Sequence, residues 1–194
     1  MAKKLILVIG APGSGKSTDS ELLAKRHTED ITTISVGDLL RDEIKRGTGV
    51  GKIAEKYVAT GDNVPGQVVV YEIFGLISNA PKDIVLIDGF PRSIDQMKEL
   101  GDELFYSKDI DLVSVIEIRI TRETARKRVL SDNASDEEVK RFEHKMDVYT
   151  NLIEEIENYY SEENLLTVVD GEQGIEDIVS QIDEYLKTQV HLFT

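Results

Sequence analysis

Residues 10–18 read Gly10-Ala11-Pro12-Gly13-Ser14-Gly15-Lys16-Ser17-Thr18, and they directly follow the apolar run at 5–9. The stretch matches the pattern G-x-x-x-x-G-K-[ST], and a helix-forming segment follows it, which is the context that a phosphate-binding loop requires. Its glycines let backbone N–H groups point at a phosphate, and the following helix N-terminus adds partial positive charge. The sequence therefore predicts a nucleoside triphosphate site, with Lys16 at the β/γ-phosphates and the Ser17 hydroxyl near Mg²⁺.

Five short apolar runs predict strands, with helical patterns between them. Most runs are continuous rather than alternating, which is typical of strands buried on both faces, so we expect a parallel sheet covered by helices on both sides. At 194 residues the chain suits a single α/β domain. The predicted strands are Leu5–Ile9, Ile31–Ser35, Ile84–Ile87, Leu112–Ile118 and Leu165–Val169.

Two connections between these strands are unusual. The second and third strands are separated by helical segments at Gly37–Arg46 and Gly49–Ala59 and by a third that begins at Pro65. A crossover needs far fewer residues, so part of this region is predicted to be a substrate-binding insertion. By contrast, only a short connection follows Arg128 before a long helix, which a capping box at Ser135 is expected to start and which should run to about residue 160.

Composition excludes several classes of function. The chain has no cysteine, and its three scattered histidines have no metal-ligand spacing. No run of about 18 apolar residues is present, and the start is too short for a signal peptide, so we expect no membrane association and a cytoplasmic location. The net charge is −14, and residues 132–194 carry 17 acidic and 4 basic residues, so a nucleic-acid partner is not expected. Nothing indicates a coiled coil, and a monomer is the expectation.

Two arginines follow predicted strands on the same edge of the sheet as Lys16. Arg41 lies just after the second strand and Arg92 just after the third, where Asp88 ends a strand of the Walker-B type. A guanidinium grips a phosphate bidentately, so the pair indicates a second phosphate site near the first. Taken alone, Arg41 fits an exposed helical residue paired with Asp42 or Glu43 better than a phosphate ligand; the coincidence with the other residues at this edge favours the phosphate site.

These segments resemble the adenylate kinase family of nucleoside monophosphate kinases over almost the full length. The similar segments are the loop at 10–18, S-V-G-D-L-L-R at 35–41, D-G-F-P-R-S-I-D-Q at 88–96 and V-V-D-G at 168–171. The resemblance implies a three-layer α/β/α P-loop kinase fold with a five-stranded parallel sheet. It also implies a monophosphate-binding insertion at 35–64, a lid reduced here to a stub at 129–136, and conversion of Mg·ATP and AMP to ADP.

The resemblance also implies roles for particular residues. Arg41 and Arg92 would hold the AMP phosphate, Gln96 would read the adenine edge, Arg128 would lie against the ATP adenine, and Asp88 would contact Mg²⁺ indirectly alongside Ser17. The implied ATP-binding set is Gly13, Ser14, Gly15, Lys16, Ser17, Thr18, Arg128 and Gln173. The implied AMP-binding set is Val36, Arg41, Asp62, Asn63, Val64, Gly89, Phe90, Pro91, Arg92 and Gln96. The implied catalytic set is Lys16, Arg41, Arg92, Arg128 and Lys145.

The chain departs from the family pattern in the lid. No basic residue occurs from 129 to 139, and Lys145 stands where the family has an arginine. Either cations on the neighbouring helices replace the missing ones, or the chain is a weakened relative that binds nucleotides and transfers slowly. The replacement candidates are Lys145, Arg141, Arg122 and Arg126.

Base selectivity is a second open point. Gln96 favours adenine, whereas Val36 occupies a position where adenylate kinases usually have threonine and pyrimidine monophosphate kinases often have a small apolar residue. A CMP or UMP kinase is therefore the alternative enzyme. A GTPase is disfavoured, because the chain has no Asn/Thr-Lys-x-Asp segment.

Overall fold

The computed structural model describes residues 2–193, whose ordered elements alternate between strands and helices. The strands are β1 (Lys3–Gly10), β2 (Ile31–Ser35), β3 (Ile84–Asp88), β4 (Ile110–Arg119) and β5 (Leu166–Asp170). The helices are α1 (Lys16–Arg26), α2 (Val36–Arg46), α3 (Gly49–Thr60), α4 (Gly66–Ser78), α5 (Ile94–Tyr106), α6 (Arg122–Val129), α7 (Asp136–Glu162) and α8 (Ile175–Thr188).

The five strands form one parallel sheet in the order β2-β3-β1-β4-β5. Because all strands run in the same direction, their carboxyl ends meet at one edge, where β1 passes into the loop at 10–18 and β3 ends at Asp88. The predicted α/β class and the five-stranded parallel sheet are confirmed. Ligand sites in such sheets lie outside this edge.

Both faces of the sheet are buried, which explains the continuous apolar runs. On β1, Leu5 and Leu7 face the cluster formed with α4, α5 and α7, whereas Ile6 and Val8 face the cluster formed with α1 and α8. All four side chains are at most 2% exposed. The central strand is therefore anchored from both sides, and it holds the loop that follows in a fixed position.

The region between β2 and α4 is a tightly packed helix pair, α2 and α3. Ser35 caps α2 by accepting a hydrogen bond from the backbone N–H of Asp38. A Cβ on Gly51 would lie 2.0 Å from the carbonyl oxygen of Glu43, so only glycine allows the two helices to approach this closely. The third helix begins at Gly66, with Pro65 as its N-cap rather than its first helical residue.

The connection between α6 and α7 is short, as predicted. It spans residues 130–135, and Ser135 and Glu138 form the expected capping box at the start of α7. The long helix ends at Glu162, two residues beyond the predicted end. Within residues 2–193, no helix has both the length and the apolarity needed to cross a bilayer.

Candidate functional site

A cavity of about 230 Å³ opens at the carboxyl edge of the sheet, between the loop at 10–18, the α2–α3 pair and α7. Four cationic side chains line it: Lys16 from the end of the phosphate loop, Arg41 from α2, Arg92 from the segment after β3, and Lys145 from α7. Such a concentration of positive charge in a cleft favours anionic ligands.

Lys16 lies at the base of this cavity. Its ammonium group donates a hydrogen bond to the carbonyl oxygen of Ala11 at 3.2 Å. Burial lowers the pKa of Lys16 to about 8; the nearby Arg92 adds to this, and Asp88 opposes it. Lys16 is therefore mainly protonated at neutral pH and carries a poorly solvated positive charge.

Ser17 and Asp88 place two oxygen ligands beside Lys16. The Ser17 hydroxyl donates to Asp88 Oδ1 at 2.9 Å, and Asp88 is 5% exposed. Hydroxyl and carboxylate oxygens are suitable ligands for Mg²⁺, which usually takes one or two protein groups together with phosphate oxygens and water. Among residues 2–193, no group of three or more His, Cys, Asp or Glu side chains is arranged around a common metal position. The two residues therefore fit Mg²⁺ that arrives with a phosphate, rather than a site made entirely of protein ligands.

Arg92 is held in place from two sides. Its Nε donates to the carbonyl oxygen of Gly89 at 2.7 Å, and its backbone N–H donates to Gln96 Oε1 at 2.8 Å. Desolvation by the surrounding protein lowers the pKa of Arg92; Asp88 opposes this shift, and Arg41 adds to it. The guanidinium remains charged, and it faces the cavity in a fixed orientation.

Arg41 lines the same cavity with an exposed side chain. Its side chain is 67% exposed, and it donates to Asp38 Oδ1 at 2.5 Å. The alternative pairing with Asp42 or Glu43 is wrong, because those carboxylates both accept from Arg46. A single exposed ion pair is weak, so Arg41 is free to turn from Asp38 to an anion.

Gln96 is 3% exposed and lies behind the residues that line the cavity, where it links Arg92 to Val64. Its Nε2 donates to the carbonyl oxygen of Val64 at 2.8 Å, while its Oε1 accepts from Arg92, so each amide atom keeps capacity for one further hydrogen bond. Asn63 Nδ2 donates to the carbonyl oxygen of Arg92 at 2.8 Å. Of the remaining residues in the AMP-binding set, Asp62, Asn63, Gly89 and Pro91 line the cavity. Val36, Val64 and Phe90 are buried in the core behind it.

On the other side of the loop, Arg128 bridges two segments. It donates to the carbonyl oxygen of Ser14 at 3.4 Å and to that of Gly171 at 3.0 Å. Gln173 lies two residues beyond Gly171 and bonds to Asp170 and Gln181. Arg128 therefore links the loop at 10–18 to the β5–α8 connection, beside which the family resemblance places the adenine of ATP.

The four cations proposed to replace missing lid arginines differ in position. Lys145 lines the cavity and has no hydrogen bond or ion pair within residues 2–193, and its pKa is lowered by burial and by Arg92, Arg141 and Arg41. Arg141, one helical turn before Lys145, pairs with Glu137 and does not line the cavity.

Arg122 and Arg126 are the other two candidates, and neither lines the cavity. Arg122 binds Glu143 and Asp147, and Arg126 binds Glu143, so both hold α6 against α7. These ion pairs with α7 argue against Arg122 and Arg126 as replacements for the lid cations, whereas the ion pair of Arg141 is exposed, so its role stays a prediction. Lys145 is the candidate that reaches the cleft.

Sequence reasoning missed two contacts of α7. His144 Nε2 lies 2.9 Å from Asp62 Oδ1 and joins α7 to the insertion. Tyr149 also lines the cavity, and its hydroxyl donates to the buried Glu117 at 3.3 Å. A single charged residue in the apolar run 115–118 was the signal that could have revealed Glu117; nothing local in the sequence identifies the partner of His144.

Lys16 on one side and Arg41 and Arg92 on the other face one cavity, beside a strand-end carboxylate. These features define a class: a P-loop protein with a second cationic subsite next to its phosphate loop. A family model described as adenylate kinase matches residues 8–165.

Individual relatives match nearly the whole chain. It is 45% identical over 186 residues to an adenylate kinase of Nautilia profundicola, covering 95% of this chain and 97% of the relative. It is 42% identical over 186 residues to an adenylate kinase of Helicobacter hepaticus, covering 95% and 98%, and 43% identical over 185 residues to one of Helicobacter pylori, covering 95% and 97%. The chain belongs to the adenylate kinase family.

Proposed function

We propose that the protein catalyses reversible phosphoryl transfer from Mg·ATP to AMP, which gives two molecules of ADP. The observation that carries this proposal is the convergence of Lys16, Arg41 and Arg92 on one cavity. A donor phosphate on the loop and an acceptor phosphate on the two arginines would then lie side by side, as direct transfer requires. Family membership supports the same reaction.

On the donor side, the loop and two flanking residues bind ATP. Backbone N–H groups of Gly13 to Thr18 and the Lys16 ammonium hold the phosphates. Arg128, fixed between Ser14 and Gly171, lies against the adenine, and Gln173 lines the same end of the site. Mg²⁺, held through Ser17 and indirectly through Asp88, neutralises phosphate charge when it is bound.

On the acceptor side, Arg41 and Arg92 bind the AMP phosphate, and the segment 62–64 with residues 89–91 encloses the nucleotide. Gln96 reads the adenine edge with its remaining N–H and lone pair. Val36 is buried and shapes this wall through packing rather than through a hydrogen bond. Membership of the adenylate kinase family supports AMP rather than a pyrimidine nucleotide as the acceptor.

Transfer needs positioning and charge neutralisation more than covalent chemistry by the protein. Lys16 and Arg92 surround the transferring group with poorly solvated positive charge, and Lys145 adds a cation from α7. Arg128 and Arg41 fix the two nucleotides. The insertion at 35–64 and the stub at 129–136 close over the cleft and exclude water, which would otherwise hydrolyse ATP. All of these groups come from one chain, so the proposed reaction needs no second copy of the protein.

A coupled assay of ADP formation tests the proposal directly. With Mg·ATP as donor, AMP is expected to give the highest kcat/KM in a panel of AMP, CMP, UMP and GMP. A preference for CMP or UMP would contradict the assignment of Gln96 as the adenine reader. If no acceptor gives ADP, the proposal that the protein is a phosphotransferase is wrong.

The ion pairs of the lid-side arginines favour a second candidate function: a protein that binds nucleotides but transfers the phosphoryl group slowly. Arg122, Arg126 and Arg141 all form ion pairs outside the cavity. Tight binding of a bis-adenosine pentaphosphate, measured by calorimetry, without measurable ADP formation would establish this second function in place of the first.

A further inference from the structure

A buried polar cluster behind the cleft has no part in the roles described above. Glu117 in β4 is 1% exposed, although its sequence neighbours Ile116 and Ile118 are apolar core residues. Arg119 donates to it through Nε at 3.1 Å and Nη2 at 2.7 Å. A buried ion pair is often no more stable than an apolar replacement of similar volume. The burial of a carboxylate at this position is therefore better explained by the other contacts of Glu117 than by a gain in stability.

The second contact of Glu117 is with the helix that lines the cleft. Tyr149 of α7 donates its hydroxyl to Glu117 Oε1 at 3.3 Å. Burial and the adjacent carboxylate raise the pKa of Tyr149, so the phenol stays protonated and remains a donor. Two turns further along α7, Glu157 accepts from Arg119 Nη2 at 2.7 Å. Two polar links thus tie α7 to β4.

The nearer of these links lies one helical turn from Lys145. Residues four apart share a helix face, and both Lys145 and Tyr149 line the cavity. Since Lys145 has no polar partner within residues 2–193, its position depends on how its turn of α7 is held. At the other end of the link, Glu117 lies opposite Ile9 in the β1–β4 ladder, next to the start of the phosphate loop. The link therefore joins the Lys145 turn to the strand beside that loop.

We infer that Glu117 and Tyr149 form a positioning pair, which fixes Lys145 of α7 relative to the phosphate loop for the transfer step. This inference rests on the proposed function, because it assigns Lys145 to the transferring phosphoryl group. The Tyr149 hydroxyl donates to Glu117 rather than into the cavity that the ring lines, so the inferred role of the pair is to act through Lys145. A misplacement of about 1 Å in a catalytic group costs up to about 10²-fold in rate.

A double-mutant cycle with Tyr149→Phe and Lys145→Gln tests the pair. Tyr149→Phe removes one hydroxyl and is expected to lower kcat about tenfold while both KM values change less than about twofold. Lys145→Gln is expected to lower kcat about 10²-fold. The double variant should match Lys145→Gln alone, since the tyrosine then has no cation to position. Tyr159→Phe, an exposed tyrosine on the same helix, is the matched control and should leave kcat unchanged.

The outcomes separate the positioning pair from the proposed reaction. The positioning role of Glu117 and Tyr149 is wrong if Tyr149→Phe leaves kcat unchanged. It is also wrong if Tyr149→Phe lowers kcat by the same factor with Lys145 present and with Lys145→Gln. If the unaltered protein forms no ADP, the proposed function fails, and the cycle is repeated on the affinity for a bis-adenosine pentaphosphate. In that cycle too, non-additivity supports the pair and additivity overturns it.

Glu117→Gln supplies a conservative check on the other partner. A glutamine keeps an oxygen that accepts from Tyr149, so it should retain more of kcat than Glu117→Leu, which has no acceptor. Equal losses in the two variants at equal melting temperature would overturn a role for this hydrogen bond. If Glu117→Leu does not fold, the Tyr149 cycle decides the question alone.

Discussion

The two sides of the cleft use their cations in opposite ways. On the insertion side, Arg41 and Arg92 line the cavity and face a ligand. On the lid side, Arg122 and Arg126 lie in ion pairs with carboxylates of α7. The insertion side is built to bind an anion, whereas the lid side is built to hold two helices together. If the proposed function holds, positive charge at the transferring group therefore comes from Lys16, Arg92 and Lys145.

The largest expected effect tests whether the loop carries most of the catalytic charge. Lys16→Met is expected to lower kcat by about 10³-fold, because it removes a desolvated cation at the point where negative charge develops. Lys25→Met, near the exposed end of the same helix, is the control and should leave ADP formation unchanged. A loss below tenfold would mean that Lys145 or the arginines carry the transfer instead.

The next effect should be confined to the acceptor side. Arg41→Ala is expected to raise KM for AMP roughly 10- to 100-fold and KM for ATP less than about twofold, because a charge-assisted contact to phosphate is lost. Arg46→Ala removes an arginine from the same helix that pairs with Asp42 and Glu43, and it should change neither KM. Equal increases for both nucleotides would show that the two sides are not separate sites.

The fold and the acceptor side were predictable because their signals are local. The apolar run at 5–9 and the glycines that follow specify a buried strand and a phosphate loop without reference to distant residues. Arg41 and Arg92 follow strand ends, and parallel strands bring those ends to one edge. Sheet topology therefore converts positions in sequence into a shared cavity.

The lid side could not be predicted in the same way, because its contacts join residues far apart in the chain. The sequence shows Arg122 and Arg126 on a helix, but their partners lie about 20 residues later, and only the packing of α6 on α7 brings them together. The same is true of Tyr149 and Glu117. Helical spacing gives the face on which a cation lies, whereas its partner depends on the tertiary fold.

A further test concerns an uncompensated negative charge on the donor side. Asp19 in α1 is 1% exposed, and neither of its carboxyl oxygens has a hydrogen-bond partner within residues 2–193. Burial raises the pKa of Asp19 to about 6, and Arg128 opposes the shift. The unfolded carboxyl titrates near 4, so the folded state binds the proton more tightly. Stability therefore falls as pH rises from about 4 to 6, and the full cost persists above that window.

Asp19→Asn should remove this cost. The variant is expected to be more stable than the unaltered protein by about 2 kcal/mol at pH 7.5, with the difference shrinking steadily toward pH 4. Urea denaturation across this pH range measures it, and Glu21→Gln, an exposed acid in the same helix, is the control. A less stable Asp19→Asn variant at pH 7.5 would mean that the carboxylate has a stabilising partner on the donor side.

The smallest expected effect tests whether the lack of a basic residue in the stub at 129–136 limits the rate of phosphoryl transfer. Asp132 lies in the exposed stub that connects α6 to α7, and Asp132→Arg would place a guanidinium there instead of a carboxylate. We expect kcat to rise about fivefold, because a guanidinium grips phosphate oxygens through charge-assisted hydrogen bonds. Asp132→Asn separates the two contributions, since it removes the negative charge and adds no cation. If both variants raise kcat equally, repulsion by the stub carboxylate limits transfer; if neither does, the stub does not reach the phosphates and Lys145 supplies the α7 charge alone.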